Sequence, residues 1–368
     1  MSGEHRTERT RAGQPSTRDN NFDLLRLLAA AQVAFFHCAT HLQVPLDRER
    51  PLVAFASHLP GVPIFFVVSG FLISLSWERN PQPASYARNR VLRIYPALWV
   101  CFGVGVLSAA IVGGVDFLRA GALPWVAAQL TIGQFYNPDF LRGYGIGVLN
   151  GSLWTIPVEL QFYLLLPLMY RVFRLRERSG IVALAALAAA SIAAQYTFLA
   201  FSGTASEALP VKLFGVTLAP YLWMFLIGVL LQRNFECFAP WLQGKAILWL
   251  AAFALFVALE KSLGITVATN TPNPVPMAVL GCAVIASAYT APRLGNSLLR
   301  GNDISYGLYI YHAVVLNAFV ASGARGSWSA LGAVLGCSLA AALASWVLIE
   351  RPALRLKRNA LHPASRAH

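Results

Sequence analysis

The chain has 368 residues, of which 57% are hydrophobic and only 12% are charged, and its formal net charge is +13. Soluble domains carry about a quarter of charged residues, so this composition excludes an ordinary soluble protein. It predicts an all-α protein of many membrane-spanning helices, with the lipid bilayer as its setting. Basic loops beside the spans account for much of the positive charge, so no nucleic-acid partner is expected.

Ten apolar stretches are long enough to cross about 30 Å of hydrocarbon as helices. They lie at about residues 22–42, 55–77, 92–113, 150–170, 180–201, 212–232, 246–263, 275–291, 303–322 and 328–349. The run from Leu123 to Tyr136 is too short and too polar to cross, so we predict an interfacial or re-entrant helix there. The predicted fold class is therefore an all-α polytopic membrane helix bundle of about ten transmembrane helices.

Ten crossings place both termini on the same side of the membrane. Of the 29 Lys and Arg residues, 21 then lie on the side of the termini, 7 lie on the other side, and Arg26 lies inside the first span. Because cytoplasmic loops are the richer in Lys and Arg, this bias predicts cytoplasmic termini. We expect a disordered basic tail at residues 1–20, the membrane domain at residues 21–355, and a short basic tail at residues 356–368.

The first span carries Arg26, His37 and His41 in an otherwise apolar sequence. Eleven positions are about three helical turns, so Arg26 and His37 lie on one face, roughly 16 Å apart along the axis. An ionisable group in hydrocarbon costs roughly 2.5 to 3.5 kcal/mol even on lenient scales, and it survives mainly where it faces a bundle interior or a watery cavity. This favours a functional site over the alternative, a packing histidine with a snorkelling arginine.

Two motifs follow in the second and third spans. Gly70, in PGVPIFFVVSGFLIS, weakens a helix unless close packing needs it, so it predicts a tight helix crossing. In SYARNRVLRIYP, Ser85 is predicted to cap a helix on which Arg90 and Arg93 share a face. Arginines at a helix N-terminus make an anion site, although ordinary snorkelling beside the membrane explains the same spacing.

Two buried ionisable groups occur later in the chain. Glu159, in NGSLWTIPVELQFYLLLP, lies in the middle of an apolar span with Tyr163 one turn further on, and a lone carboxylate there needs a partner. Its predicted depth is compatible with that of His37. His312, in ISYGLYIYH, lies roughly 13 Å into the ninth span, where a structural role and a catalytic role are equally open.

The ordered set of these motifs, closed by LIERP at residues 348–352, resembles the integral-membrane acyltransferase-3 family from about Asn21 to Arg355. Members transfer acyl groups, commonly acetyl, to hydroxyls of surface polysaccharides, peptidoglycan or small glycosides. The resemblance implies a bacterial inner-membrane enzyme with acyl-CoA, by default acetyl-CoA, as donor and a carbohydrate or glycoside as acceptor. No metal and no extra C-terminal hydrolase-like domain are expected.

The resemblance also assigns residues. His37 matches the catalytic histidine of the family, Arg26 its first-span arginine, and Arg90 with Arg93 the arginine motif on the acyl-CoA side. In the expected mechanism His37 takes the proton of the acceptor hydroxyl, and the transfer is direct. Glu159 is expected to hold the other nitrogen of His37.

Tyr163 and His312 are further candidates for the site. The loop from Phe135 to Leu149, rich in aromatic residues and glycine, fits carbohydrate stacking. A second class of function stays open at this point. Ten spans with buried Arg, Glu and His also describe a proton-coupled transporter or an exporter of a lipid-linked glycan, with His37, Glu159 and His312 as a relay.

Overall fold

The computed structural model describes residues 19–47, 50–119, 121–173, 175, 179–206, 208–265 and 269–359. These residues form helices and loops without a β-strand, which confirms the all-α class. The helices are α1 Phe22–His41, α2 Pro51–Ser57, α3 Gly61–Arg79, α4 Pro83–Gly113, α5 Ala122–Leu130, α6 Thr155–Val172, α7 Ser179–Ala205, α8 Leu209–Phe214, α9 Leu222–Arg233, α10 Phe235–Leu242, α11 Ala246–Ser262, α12 Pro274–Ala288, α13 Leu294–Leu299, α14 Ser305–Ala321, α15 Trp328–Ser345 and α16 Arg351–Asn359. A π-helical turn at Trp346–Glu350 joins the last two, and 3₁₀ turns lie at Asp139–Leu141 and Gly151–Trp154.

The chain is a polytopic helical membrane protein. Six stretches of described helix have the length and hydropathy to cross a bilayer, and a seventh would be α9 with α10, which are bent by 94°. Each of the ten predicted spans contains a helix. However, α9, α11, α12 and α14 have only 12, 17, 15 and 17 residues, fewer than the roughly 20 of a typical crossing. The count of ten crossings therefore stays a prediction.

Three predicted boundaries can be compared with the structure. The segment around Leu123 forms the nine-residue helix α5, which is too short to cross, as predicted. The predicted tail at 356–368 is different, because its first four residues continue the helix α16. The rest of that tail, and nearly all of the tail predicted for residues 1–20, lie outside the described residues.

Helices α1 and α14 run side by side in the same direction. Near their N-terminal ends, Arg26 of α1 forms an ion pair with Asp303, which lies two residues before α14. Further along, His37 of α1 contacts His312 of α14. We call the two ends of the bundle marked by these contacts the arginine end and the histidine end. They are roughly 16 Å apart, because eleven residues of α1 separate them.

Helices α3 and α9 cross in close contact at glycine. A Cβ atom at Gly70 would overlap the backbone carbonyl of Phe225, and one at Gly228 would overlap the carbonyl of Val67. The two backbones can approach only because both residues lack a side chain. The tight crossing predicted for Gly70 is confirmed.

Helix α4 begins earlier than the sequence predicted. Its first residue is Pro83 and its N-cap is Gln82, so Ser85 is inside the helix and does not cap it. Proline is favoured in the first turn of a helix because its missing N–H has no helical partner to lose. Arg90 and Arg93 consequently lie two to three turns into α4, beyond the reach of the helix N-terminus. An anion site here must be made by side chains.

The predicted sidedness can be tested by cysteine labelling in intact cells. Arg171 and Arg325 are both exposed, and the charge bias puts Arg171 in the cytoplasm and Arg325 outside. In a background with the exposed Cys237 and Cys337 changed to Ser, Arg325→Cys should react with an impermeant maleimide and Arg171→Cys should react only after the cells are opened. The reverse pattern would overturn the predicted orientation.

Candidate active site

Three histidines lie in contact at the histidine end. His37 Nδ1 is 3.2 Å from His312 Nε2, and His37 Nε2 is 3.1 Å from His41 Nε2. His312 is fully buried, whereas His37 and His41 are partly exposed. His37 and His41 meet because residues four apart share a face of a helix. His37 thus stands between a buried histidine and one nearer the surface.

The backbone of α14 determines how protons are arranged in this cluster. His312 Nδ1 is 3.3 Å from the carbonyl oxygen of Leu308, which can only accept, so Nδ1 carries the proton. In the neutral ring, Nε2 of His312 is then an acceptor. The Ser152 hydroxyl can donate to it, and so can Nδ1–H of His37, which leaves no proton on Nε2 of His37. Consequently Nε2 of His37 holds the free lone pair of a base. The proton of His41 Nε2 can occupy that lone pair.

Ser152 approaches the same histidine from the 3₁₀ turn at Gly151–Trp154. Its Oγ is 3.1 Å from His312 Nε2. Asn150 builds this turn, because its Oδ1 accepts from the Ser152 N–H and its Nδ2 donates to the carbonyl of Ile310 in α14. Asn317 of α14 ties down the preceding loop by donating to the carbonyls of Val148 and Leu149. The turn is therefore fixed to the helix that carries His312.

At the arginine end, one carboxylate joins three helices. Asp303 Oδ2 is 3.1 Å from Arg26 Nη2 of α1 and 2.5 Å from Arg93 Nη2 of α4, and the Asp303 side chain is only 8% exposed. Ser305 donates to the other carboxylate oxygen from both its backbone N–H and its hydroxyl. Arg26 also pairs with Asp23. A buried carboxylate with this many charged and polar partners stabilises the arrangement, and removing either arginine would leave it undercompensated.

Arg90 is held by aromatic rings and not by a carboxylate. Its guanidinium carbon lies 5.8 Å from the ring centre of Tyr86 and 5.6 Å from that of Tyr163, which are cation–π distances. Tyr86 donates to the backbone carbonyl of Tyr163, so the two rings are themselves fixed. The buried Nε of Arg90 has no hydrogen-bond partner within the described part of the chain. Arg90 is thus held in place while its Nε–H remains available to donate a hydrogen bond.

Glu159 does not contact His37, so the predicted pairing is wrong. Glu159 Oε1 accepts from Ser69 of α3 at 3.1 Å and from the hydroxyl of Tyr163 one turn along α6. Both ring nitrogens of His37 have histidine partners instead. The reason is the helix arrangement, since α1 packs against α14 and the partner of Glu159 comes from α3.

A cavity of about 310 Å³ has the arginine end of the bundle in its wall. Among its lining residues are Arg26, Arg93 and Asp303, together with Arg90, Glu159 and Tyr163, and also Thr155 and Tyr309. The Tyr309 hydroxyl donates to the carbonyl of Ser152 and lies 2.9 Å from Thr155 Oγ1. The cavity therefore extends from the arginines to Thr155, next to the turn whose Ser152 contacts His312.

A second, wider groove of about 1190 Å³ approaches the same turn. Its lining includes the turn residues Asn150, Gly151 and Trp154. Around them stand aromatic and amide side chains, among which are Gln134, Phe135, Tyr136, Asn137, Phe198, Tyr221 and Asn270. Part of the predicted loop from Phe135 to Leu149 thus borders a groove whose volume exceeds the usual 300 to 1,000 Å³ or so of small-molecule pockets. The first cavity thus reaches the residue after the 3₁₀ turn, and the second is lined by the turn itself.

The family model described as an acyltransferase domain, that of acyltransferase-3, matches residues 19–350. The chain belongs to the acyltransferase-3 family. It is 36% identical to nodulation protein 10 of Rhizobium leguminosarum bv. viciae over 92% of this chain and 94% of that protein. It is also similar to the exopolysaccharide production protein ExoZ of Rhizobium meliloti (27% identical, 81% and 90% covered) and to the acyltransferase MdmB of Streptomyces mycarofaciens (26%, 80% and 81%). No solved structure matches.

Membership in the acyltransferase-3 family makes this chain an acyltransferase, which decides against the transporter alternative. Among the predicted site residues, the structure brings His37 together with His312, and it places Arg26, Arg90, Arg93, Glu159 and Tyr163 on one cavity. Glu159 and Tyr163 lie between the two ends and not in the histidine cluster. Their roles in acyl transfer stay predictions.

Sequence reasoning missed several groups of this acyltransferase. Asp303 could have been found from the sequence, because it is the only carboxylate between Glu260 and Glu350 and it directly precedes an apolar span. His41 was noticed in the first span but given no role, although its place four residues from His37 puts both on one face of α1. Ser152 could not have been found from the sequence, because a serine beside a glycine is common in turns.

Proposed function

We propose that this acyltransferase moves an acyl group, by default acetyl, from acyl-CoA in the arginine-lined cavity to a hydroxyl of a carbohydrate or glycosylated small molecule in the wide groove. The observation that carries the proposal is that the arginine-lined cavity reaches Thr155, directly after the turn at Gly151–Trp154, and the wide groove is lined by that turn, where Ser152 contacts His312 and His312 contacts His37. A donor and an acceptor could therefore meet at a base without either one crossing the membrane.

The chemistry requires a single base and, for each of the two substrates, a separate route to that base. The acceptor hydroxyl gives its proton to His37 Nε2 as its oxygen attacks the thioester carbonyl. The C–S bond breaks as the new C–O ester bond forms, and the proton leaves with the CoA thiolate to give the free thiol. The Ser152 hydroxyl is a candidate donor to the negative carbonyl oxygen that develops during transfer.

The walls of the two cavities support different ligands. Arginines that are charged at every physiological pH suit the phosphates of CoA. Aromatic rings beside amides suit sugars, whose apolar faces stack and whose hydroxyls need polar partners. Among the relatives, ExoZ is named for exopolysaccharide production, which agrees with a carbohydrate acceptor. We place the chain in a bacterial inner membrane, with the arginine end toward the cytoplasm, where acyl-CoA is made.

Acyl-CoA turnover by the purified protein in lipid nanodiscs tests the proposal. With acetyl-CoA and a panel of oligosaccharides and glycosides, free thiol should appear only when a suitable acceptor is present, and the acceptor should gain one acetyl ester by mass spectrometry. His37→Ala protein is the negative control. Intact acetyl-CoA with every acceptor, and likewise with longer acyl-CoA donors, would overturn the proposed donor.

Replacing Arg90 is expected to raise the KM for acyl-CoA by roughly 10-fold or more, because a charge-assisted hydrogen bond to phosphate is lost. Arg90→Gln should do this without much loss of stability, since tyrosine rings and not a carboxylate hold Arg90. Arg93→Gln should raise the KM and also lower the melting temperature, because Asp303 loses a partner. Arg171→Gln, at an exposed position of α6, is the matched control. An unchanged KM in Arg90→Gln would remove Arg90 from the donor site.

A further inference from the structure

The C-terminal helix α16 forms part of the wall of the arginine-lined cavity. The helix continues from α15 through the π-helical stretch into α16, which packs along α4, where Arg88 donates to the carbonyl oxygen of Leu356 at 2.5 Å. Leu354 and Lys357, three residues apart and so on one face of the helix, both line the cavity. Lys357, which was expected to lie in a tail, therefore helps with Leu354 to enclose the cavity.

The charges on the cavity lining are not balanced. The cations are Arg26, Arg90, Arg93 and Lys357, and the carboxylates are Asp303 and Glu159. Asp303 forms ion pairs with Arg26 and Arg93. Glu159 accepts hydrogen bonds from the hydroxyls of Ser69 and Tyr163. Within the described ranges of the chain, neither Arg90 nor Lys357 forms a salt bridge.

Four cations thus face two carboxylates on the cavity lining. An excess of positive charge inside a largely apolar bundle costs free energy unless an anion accompanies it. Arg90 is fixed by its tyrosines, whereas Lys357 is a point charge on a flexible stem, with three donors that can follow a mobile ligand group. The pair suits a ligand that carries at least two negative charges near the mouth of the cavity. The phosphates of a nucleotide-linked thioester meet that description.

We infer that Lys357 binds a phosphate group of the acyl donor, so that α16 is a functional wall of the donor site. This inference rests on the proposed function for the identity of the donor. Lys357 acts in binding and touches no reacting atom, because it lines the cavity with the arginines, whereas the histidine cluster lies outside the cavity lining, at the other end of the bundle. Its removal should therefore change donor affinity and leave the chemical step intact.

The test is CoA binding, measured by calorimetry on the full chain in nanodiscs, together with the kinetics of acyl transfer. Lys357→Gln should weaken CoA binding and raise the KM for acetyl-CoA by about 10-fold, with kcat unchanged. Lys357→Arg should restore most of the affinity. Arg355→Gln is the matched control, because Arg355 lies on the same helix, is exposed, and does not line the cavity.

A donor without nucleotide or phosphate separates the proposed contact from a packing effect. With S-acetylpantetheine, wild type and Lys357→Gln should have the same kcat/KM, because there is no phosphate for Lys357 to bind. If wild type binds CoA tightly and Lys357→Gln binds it equally well, or if the variant loses as much activity with S-acetylpantetheine as with acetyl-CoA, the inference fails and the proposed function stands. If wild type neither binds CoA nor consumes any acyl-CoA, the proposed donor itself fails.

Discussion

Replacing His37 by Ala is expected to lower the rate of acyl transfer by about 100- to 10,000-fold, the usual effect of losing a general base. His37 is the histidine whose Nε2 lone pair is left for the acceptor hydroxyl, because its Nδ1 proton is directed at His312. His37→Gln should do no better, since an amide cannot take a proton at neutral pH. The measurement is acetyl transfer in nanodiscs at saturating acetyl-CoA.

The matched control for this experiment is His58→Ala. His58 lies after α2, where its Nδ1 is 2.7 Å from the carbonyl oxygen of Ala54, and it lines neither cavity. CoA binding by His37→Ala should match wild type, which shows that the donor site is folded. Wild-type turnover in His37→Ala would end the assignment of His37 as the base.

Replacing His312 by Leu is expected to lower kcat by an amount approaching that of His37→Ala, with the KM for acetyl-CoA unchanged. The expectation follows from the tautomer, because without His312 Nε2 the proton of His37 is free to move to Nε2 and block the lone pair. Loss of the group that orients a catalytic histidine is known to cost as much as about 10,000-fold in other enzymes.

A conservative variant distinguishes this role from packing. The side-chain oxygen of Gln can take the place of Nε2 and accept from His37, so His312→Gln should recover part of the kcat that His312→Leu loses. A purely structural histidine would predict a fall in thermal stability and in CoA binding with both variants, without this recovery. Wild-type kcat in His312→Leu would show that His37 needs no partner in α14.

The positions of the helices along the chain could be predicted from hydropathy, but their ends could not. α4 begins at Pro83, nine residues before the predicted span, because a helix can continue through polar residues outside the hydrocarbon. α9 covers only Leu222–Arg233 of the span predicted at 212–232, where Val216 and Tyr221 border the wide groove. Hydropathy reports burial in lipid, whereas helix ends depend on where backbone groups find other partners.

The separation of the arginine end from the histidine end could also be predicted, since the spacing on α1 alone places Arg26 and His37 about three helical turns apart. The partner of His37 could not. Glu159 and His312 have similar predicted depths, and only the packing of α1 against α14 selects the histidine. Lys357 could not be predicted either, because nothing in a basic C-terminal sequence shows that the helix continues along α4.

The contacts that join α1 to α14 at both ends restrict which insertions and deletions the gene can accept. One residue inserted between Arg26 and His37 would rotate His37 by about 100° relative to Arg26 and move it by about 1.5 Å, so the ion pair with Asp303 and the contact with His312 could not both survive. A four-residue insertion would nearly restore the face but lengthen the separation by about 6 Å. Length variation is therefore excluded from this stretch of α1, whereas exchange among small side chains at Ala30 and Ala34 is compatible with it.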